Sequence, residues 1–501
     1  MCVQMRKINF RVIFFGVASF ILALVFARHI FALSVFHIIF ALLSLACVLV
    51  LCIKFKCIKR FVIIICFFVF GVGYYALGYY TFMGEDYKDS VVITARVQQI
   101  IEHSTYTTCV LDDIQVNGKD KPFCITASID TYQDFSMGNI ITFEGKLTKV
   151  DLFKDNKFNS YYYKNGTNYK TTISDILTVK DGYLHANEKV SNFFGDFVDK
   201  NFDPKIGGIV KSVVFGDKST LDDDVKNSFS SSGIAHLLAI SGLHISIIIS
   251  MINFILKKFK LKQIYNFIIL LVVLSLYCYL CNFAPSVVRA SLMSLVFLFA
   301  SLSGRKYDRL NSLAICAFLI LLFRPLYIFD AGFLLSFGCV FCIFVLSSLV
   351  RDFLKFLKIG DKLCDSLAII LGVQIGLIPL VSLFYTKMNV LSIICNLICV
   401  PLFEIAFILT FIFSIICLIL PFTTFILKGV EFLYWAICGF ASIFTDATFA
   451  YITMPKTQVI YVTGFYSSCF VASKFVQMQK IQKLYAIFGI IFVSVLCSIF
   501  A

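Results

Sequence analysis

Charge is scarce in this 501-residue chain: Asp, Glu, Lys and Arg together make 15% of it, against 59% hydrophobic residues and a mean hydropathy of +0.89. That balance excludes an ordinary water-soluble globular fold. Histidine is confined to positions 29, 37, 103, 185, 236 and 244, and none follows. The second half of the chain therefore holds no histidine-rich metallohydrolase domain. No G-x-x-x-x-G-K-[ST] pattern occurs; Gly216-Asp217-Lys218-Ser219 has the wrong order, which excludes ATP binding by a P-loop. No 20–50-residue repeat is visible, so the chain is not a solenoid. The first apolar run, residues 10–27, lacks a small-residue cleavage site and reads as a retained helix, not a signal peptide.

What is present is a series of apolar runs of about 18 or more residues, each long enough to cross a bilayer. Basic clusters punctuate them: Arg6/Lys7/Arg11, Lys54/Lys56/Lys59/Arg60, Lys257/Lys258/Lys260/Lys262, Arg305/Lys306/Arg309, Arg351/Lys355/Lys358/Lys362 and Lys474/Lys480/Lys483. They fall in every second loop, as the positive-inside rule expects, so the net charge of +14 reports topology before nucleic acid. Threading the runs through these clusters puts the N-terminus in the cytoplasm. Three spans follow (near 11–28, 30–53 and 60–82), then an external polar block. A second bundle has spans near 233–256, 264–283, 285–303, 310–323, 329–350, 363–386, 390–420, 422–443, 458–473 and 484–500, about thirteen crossings in all. The 19 cysteines lie mostly within spans, where a thiol acts as a small apolar group. Cys109 and Cys124 fall in the polar block; hairpin registers that do not set them opposite each other weigh against a disulfide, and the sequence leaves that pairing open.

The expected domains are 1–83, N-terminal transmembrane helices; 84–187, an external β domain; 188–232, an interfacial amphipathic region; and 233–501, the main bundle. Within the β domain, strands are expected at 91–102, 106–116, 122–130, 139–150 and 169–180, with Asn117-Gly118 as a hairpin turn. Five strands fit a small barrel of the oligonucleotide-binding (OB) type, or a sandwich. Lys146, Lys149, Lys154, Lys157, Lys164 and Lys170 interleave with Phe143, Phe153, Phe158, Tyr161, Tyr162, Tyr163 and Tyr169. Cations beside stackable rings suit a single-stranded nucleic acid; the other reading is an aromatic belt on the membrane with snorkelling lysines. Beyond the block, Val190, Phe193, Phe194 and Phe197 line one side of a helix, with Asp196, Asp199 and Lys200 opposite.

The densest chemistry lies in Ser231 to His244, SSGIAHLLAISGLH. On an unbroken helix His236, Ile240 and His244 share a face, and Ser241 lies within reach of His244. Imidazoles at membrane depth face a wet cavity, or are interfacial residues satisfied by backbone carbonyls. Gly233 and Gly242 permit a broken helix or close backbone approach. Further polar groups sit at depth: Arg289 after Pro285, Asp330 before Ala-Gly-Phe-Leu-Leu-Ser-Phe, Gln374, Asn396, and Glu404 after Pro401. Arg289 with Glu404 or Asp330 is the expected pair; for any single residue a static interhelical contact is the better account, while as a set they suggest a polar path or seam. A Ser241–His244 nucleophile–base pair lacks an orienting acid nearby in sequence.

These residues resemble the ComEC-type competence membrane channels. Phe215-Gly216-Asp217 and Ser230–His244 are similar to that family's G-(D/E)…S-G-x-x-H-L-L-A-I-S-G-L-H signature. Pro285–Ala290, Arg324-Pro325…Asp330–Phe337 and Gln374…Pro379…Phe384…Asn396…Pro401 follow in the family's order, and Phe158–Gly166 resembles the turn that trails its barrel-like domain. The resemblance implies a DNA-uptake channel that carries single-stranded DNA across the bacterial cytoplasmic membrane during transformation, in the form without a C-terminal metallo-β-lactamase-like domain. The expected path is lined by His236, Ser241, Gly242, His244, Arg289, Asp330, Gln374, Asn396 and Glu404. Expected DNA contacts are Lys146, Lys149, Lys154, Lys157, Tyr161, Tyr162, Tyr163 and Lys164. No catalytic residue, metal or cofactor is expected. The implied partners are single-stranded DNA, membrane lipid, and separate DNA-receptor, nuclease and motor proteins, with a second copy of the chain among those to be considered. The alternatives are a transporter or flippase of another envelope substrate and, third, an intramembrane hydrolase.

Overall fold

The computed structural model describes residues 12–31, 58–82, 87, 89–102, 107–121, 123–129, 135–150, 167–173, 175–304, 307–357, 360–384, 387–389, 391–420, 423–445, 451–453, 459–473, 476 and 479–500. They divide into two compact units. One is Met1–Ala76 with Leu292–Leu397 and Ala447–Ala501; the other is Leu77–Ser291 with Ile398–Asp446. Among the described residues six helices are long and apolar enough to cross a membrane: Gln263–Leu280, Pro285–Leu302, Ala331–Leu354, Asp361–Phe384, Ser392–Cys417 and Phe425–Phe444. Shorter apolar stretches lie at Ile13–Val25, Val62–Tyr75, Arg309–Phe323 and Ile481–Phe492. The chain is thus mostly helical with one small sheet domain. The expected span near 30–53 falls almost wholly outside the described residues.

In the first unit, α1 (Val12–Phe31) and α2 (Ile58–Phe82) pack closely, because a Cβ on Gly71 would lie 2.8 Å from the Ala23 methyl. The ring of Phe20 packs edge-on against Phe318 of the helix Arg309–Phe323. The tightest pair is Ala331–Leu354 with Asp361–Phe384. Gly372 and Gly376, four apart on one face of the latter, let the backbones meet: a Cβ on Gly372 would lie 2.9 Å from the Ser347 backbone, and one on Gly376 would strike Cys342. Small residues at this spacing are how helices associate where lipid removes the hydrophobic drive. Tyr466, on the helix Val459–Ala472, donates its hydroxyl to the Gly376 carbonyl at 2.6 Å.

The second unit carries the β domain. Its strands are β1 (Val91–Glu102), β2 (Thr107–Val116), β3 (Lys119–Lys121), β4 (Cys124–Ile129), β5 (Ile140–Gly145), β6 (Thr148–Lys149), β7 (Thr167–Ile173) and β8 (Ile176–Lys180). Asn117 and Gly118 both have positive φ (49° and 76°), the turn that the Asn-Gly pair prescribes. All eight strands form one sheet in the order β6-β7-β4-β2-β1-β5-β8, with β3 on β2, and β4 and β7 run parallel. A two-sheet sandwich is therefore not formed by these strands. Nor does a ladder join β5 to β7, although the strands approach closely: a Cβ on Gly145 would lie 2.7 Å from Thr171 Oγ1. Alternation does the folding work, since Ile93, Ala95, Val97, Leu111, Ile125, Ala127, Ile141 and Phe143 enter one core. Cys109 faces Ala127 and Cys124 faces Thr167 in register, so the two are not opposite each other. Burial pushes the Cys109 thiol up to about 12.

Three helices lead from this domain: α3 (Ala186–Asn201), α4 (Pro204–Val214) and α5 (Asp223–Ser231). The apolar side expected of α3 is split. Phe194 and Val198 are buried, Phe194 against Phe215 at 5.0 Å, whereas Val190 and Phe193 are exposed. Asp203 caps α4 through the Lys205 N–H at 3.0 Å, with Pro204 at the first helical position, and Asp222 caps α5 through two N–H groups.

Candidate functional site

The signature stretch does not form the unbroken helix that would align His236 with His244. Helix α5 ends in a full Schellman motif: the Ile234 N–H reaches the Phe229 carbonyl at 2.9 Å and the Gly233 N–H reaches Ser230 at 3.1 Å. Gly233 adopts φ +78°, which explains a glycine there. A single 3₁₀ turn, Ala235–Leu238, follows, and the chain is extended at Ala239. Ile234, Leu237, Leu238 and Ile240 are buried and pin this segment, leaving Ala235 and His236 exposed.

A new helix, α6 (Gly242–Lys258), then starts at Ser241. The Ser241 hydroxyl accepts the Leu243 N–H at 3.2 Å, while His244 Nδ1 accepts the Ser241 backbone N–H at 3.0 Å. This is a capping box in which the imidazole takes the place of the usual Glu or Gln. The consequence for chemistry is direct. With Nδ1 occupied by a backbone N–H, the proton of the neutral ring sits on Nε2. The Ser241 hydroxyl lies 3.5 Å from Nδ1, the outer limit for a hydrogen bond, so Nδ1 does not serve that hydroxyl as a base. The ring itself is buried against Phe407, with centroids 4.3 Å apart, and near Phe403.

Two more elements complete this corner: α7 (Gln263–Leu280) and α8 (Pro285–Leu302). Ser286, in the first turn of α8, donates to the Ile240 carbonyl at 2.6 Å and ties α8 to the broken segment. Arg289, one turn on, is 7% exposed, and its guanidinium packs on Gly242: a Cβ there would lie 3.0 Å from Nη2. A cation is thereby held at the positive end of α6. Converging positive features of this kind favour an anion.

The remaining expected residues are placed as follows. Glu404, half-buried on the helix Ser392–Ile419, forms no ion pair among the described residues and so is not the partner of Arg289. Asp330, Gln374 and Asn396 belong to the other unit. Asp330 is the N-cap of its helix, accepting the Phe333 N–H at 2.8 Å, and Gly332 leaves room for its carboxylate, since a Cβ there would lie 2.9 Å from Oδ2. The D-A-G-F run is thus a helix start. Gln374 is half-buried between Gly372 and Gly376. Asn396 donates to the Ser392 carbonyl at 2.8 Å, and its buried Oδ1 has no partner among the described residues.

In the β domain, Lys146 and Lys170 line a polar recess with Ser128, Thr148, Thr171 and Thr172, and Lys149 lies beside it on β6. Phe143 and Tyr169 are core residues, so neither ring is a stacking platform. Lys154, Lys157, Tyr161, Tyr162, Tyr163 and Lys164 lie outside the described residues. No cluster of three or more metal-ligating side chains occurs among the described residues. What sequence reasoning missed is a buried cation in the sheet domain: Arg96, 1% exposed, ion-paired to Asp112 and Glu188. The only signal was a charge inside the apolar run of β1. Burial works against its charge, but hydrogen bonds to Glu188 and Asp112 outweigh that and raise its pKa. Burial likewise pushes the Asp112 carboxyl up, against the pull of Arg96.

A family model described as Competence protein matches residues 213–479, more than half of the chain. ComE operon protein 3 of Bacillus subtilis (strain 168) is 29% identical over 248 residues, which is 49% of this chain and 31% of that protein. Recombination protein 2 of Haemophilus influenzae (strain ATCC 51907 / DSM 11121 / KW20 / Rd) is 23% identical over 303 residues, 57% of this chain and 37% of the relative. An uncharacterized protein of Aquifex aeolicus (strain VF5) is 29% identical over 190 residues, 38% and 43% of the two chains. The matches thus span less than half the length of each of these relatives. No solved structure matches.

Proposed function

The chain belongs to the competence protein family, and from that premise we propose that it carries single-stranded DNA across the bacterial cytoplasmic membrane during natural transformation. The observation that carries this reading is the corner built by the family's signature: Arg289 is buried on Gly242 at the start of α6, and His236 is exposed on the broken segment that Ser286 ties to α8. A phosphate entering there meets the Arg289 guanidinium at the positive end of the α6 dipole. The recess of Lys146 and Lys170 receives the strand first, assisted by the basic and aromatic residues 154–164. The sheet domain acts as an external OB-like barrel whose β5–β7 seam stays open. The N-terminus is cytoplasmic, with about thirteen crossings, reckoned from helix length and the basic loops. Asp330, Gln374, Asn396 and Glu404 supply further polar groups along the path. A separate motor protein drives the transport.

The hydrolase reading loses its support in the engagement of His244 Nδ1 by the backbone. The test is deletion of the gene in its own host, scored by entry of labelled DNA into a nuclease-protected pool. Loss of entry, restored by the intact gene but not by an Arg289→Ala copy present at normal level in the membrane, is the expected result. Undiminished entry in the deletion strain overturns the reading and favours another envelope substrate.

A further inference from the structure

Arg96 is aimed by its strand. Register shifts at Thr94/Arg96 and Val97/Gln99 bracket it, and it stands directly opposite Asp112. Its Nη2 meets Asp112 at 2.5 Å and its Nη1 meets Glu188 Oε2 at 2.8 Å, with Tyr183 beneath the guanidinium at 5.3 Å. Glu188 belongs to the first turn of α3, where the same Oε2 accepts the His185 N–H at 2.8 Å. Its neighbour Asn187, also buried, donates Nδ2 to Asn282 Oδ1 at 2.7 Å. Asn282 is the left-handed residue (φ 49°) of a second Schellman motif that ends α7: its N–H reaches Tyr279 at 3.1 Å, and that of Phe283 reaches Cys278 at 2.8 Å. Three residues later α8 begins, bringing Ser286 to Ile240 and Arg289 to Gly242.

We propose that Glu188 and Asn187 form a two-sided joint: Glu188 grips Arg96 of the β domain, Asn187 grips the Asn282 turn, and together they set where Arg289 stands over Gly242. Both are positioning residues. The joint is defined by geometry alone and rests on the DNA-transport reading only for the second arm of its test. A β domain welded in this way to the turn that launches α8 transmits any shift of that domain to the arginine.

Asparagine at 282 makes the joint testable without breaking the turn. Asn282→Gly keeps the left-handed conformation and deletes only the side-chain bond; Asn282→Asp keeps an acceptor for Asn187. In full-length protein in lipid nanodiscs, Asn282→Gly and Asn187→Ala are expected to speed amide exchange over residues 283–288 by about three- to tenfold, the size of one lost hydrogen bond. Exchange in β1 and β2 stays unchanged, and Asn282→Asp behaves as wild type. Glu188→Gln, which weakens the other side of the joint, is expected to speed exchange over 283–288 as well. In cells, Asn282→Gly lowers the maximal rate of DNA entry with the half-saturating DNA concentration unchanged, and Asn282→Asp restores it. Wild-type exchange at 283–288 in Asn282→Gly, or equal effects of Gly and Asp at that position, overturns the joint. Failure of the wild-type chain to admit DNA removes the transport reading, while the exchange comparison still decides the joint.

Discussion

Adding one methyl group at Gly242 separates the stability of the corner from its function. Gly242 is the first residue of α6, in ordinary helical conformation, where alanine is favoured over glycine by up to about 1 kcal/mol. The new Cβ lies 3.6 Å from the Ala290 methyl, an ordinary contact, but 3.0 Å from Arg289 Nη2. Non-bonded carbon contacts settle near 3.5–4.0 Å, so the guanidinium must retreat by roughly 0.5 Å. The end of a flexible side chain yields at small cost, and Gly242→Ala is therefore expected to unfold within about 1 kcal/mol of wild type. Transport is another matter. A misplacement of about 1 Å at a working group costs on the order of a hundredfold, so half of that predicts roughly a tenfold loss in the rate of DNA entry. The assay pairs thermal unfolding of purified protein with entry of labelled DNA in cells matched for membrane level. Unchanged entry in Gly242→Ala refutes the idea that the position of Arg289 matters. A parallel loss of stability and entry refutes the separation of the two.

Other outcomes follow from the same contacts. Because His244 acts as a cap, His244→Gln keeps most of the stability that His244→Ala loses, about 1 kcal/mol or more by thermal unfolding, and Ser241→Ala costs a similar amount; neither residue labels with a serine-directed fluorophosphonate. Gly372→Ala, whose Cβ would meet the Ser347 backbone at 2.9 Å, destabilises by about 1–3 kcal/mol, whereas Gly439→Ala, with nothing within 4 Å, is neutral or stabilising in the same detergent melt. The Cys109 thiol has its folded pKa raised to about 12, against about 8.5 in an unfolded chain. Its contribution to stability is complete below pH 8.5 and is lost as pH rises toward 12, at about 1.4 kcal/mol per pH unit. Cys109→Ala should flatten that alkaline slope, and the wild-type thiol should resist alkylation at pH 8 until the domain is unfolded. A steep slope in the alanine variant would assign the alkaline loss to other groups.

The fold was legible where one periodicity acted alone. The alternation of β1 and β2, the Asn-Gly turn and the long apolar helices all follow from local pattern. The motifs carry a structural meaning beside the functional one. Gly233 permits the broken helix expected of it, through a positive φ, while Ser241 and His244 cap α6 and Asp330 starts a helix. The Ser-x-x-His spacing fits a capping box as well as a hydroxyl–imidazole pair. Helix ends in a membrane protein must satisfy their backbone groups without water, so polar residues at such ends carry two meanings that sequence does not separate. The Arg96 network was illegible for another reason. Its partner Asp112, 16 residues away, is set opposite it by the register of β1 with β2, and Glu188, 92 residues away, reaches it only through the packing of α3. Tyr169 shows the converse: it reads as a ring among lysines but is 1% exposed in the core.

The most direct test of whether a DNA strand passes the broken-helix corner is photocrosslinking during transit. A benzophenone amino acid at Ala235, exposed beside His236, and another at Phe432, 70% exposed on an apolar helix, are introduced into full-length chains in transforming cells. DNA adducts that form at position 235 while entry proceeds, and not at position 432, are the predicted result. Cells that take up DNA normally yet give no adduct at 235, or equal adducts at both positions, would contradict the account.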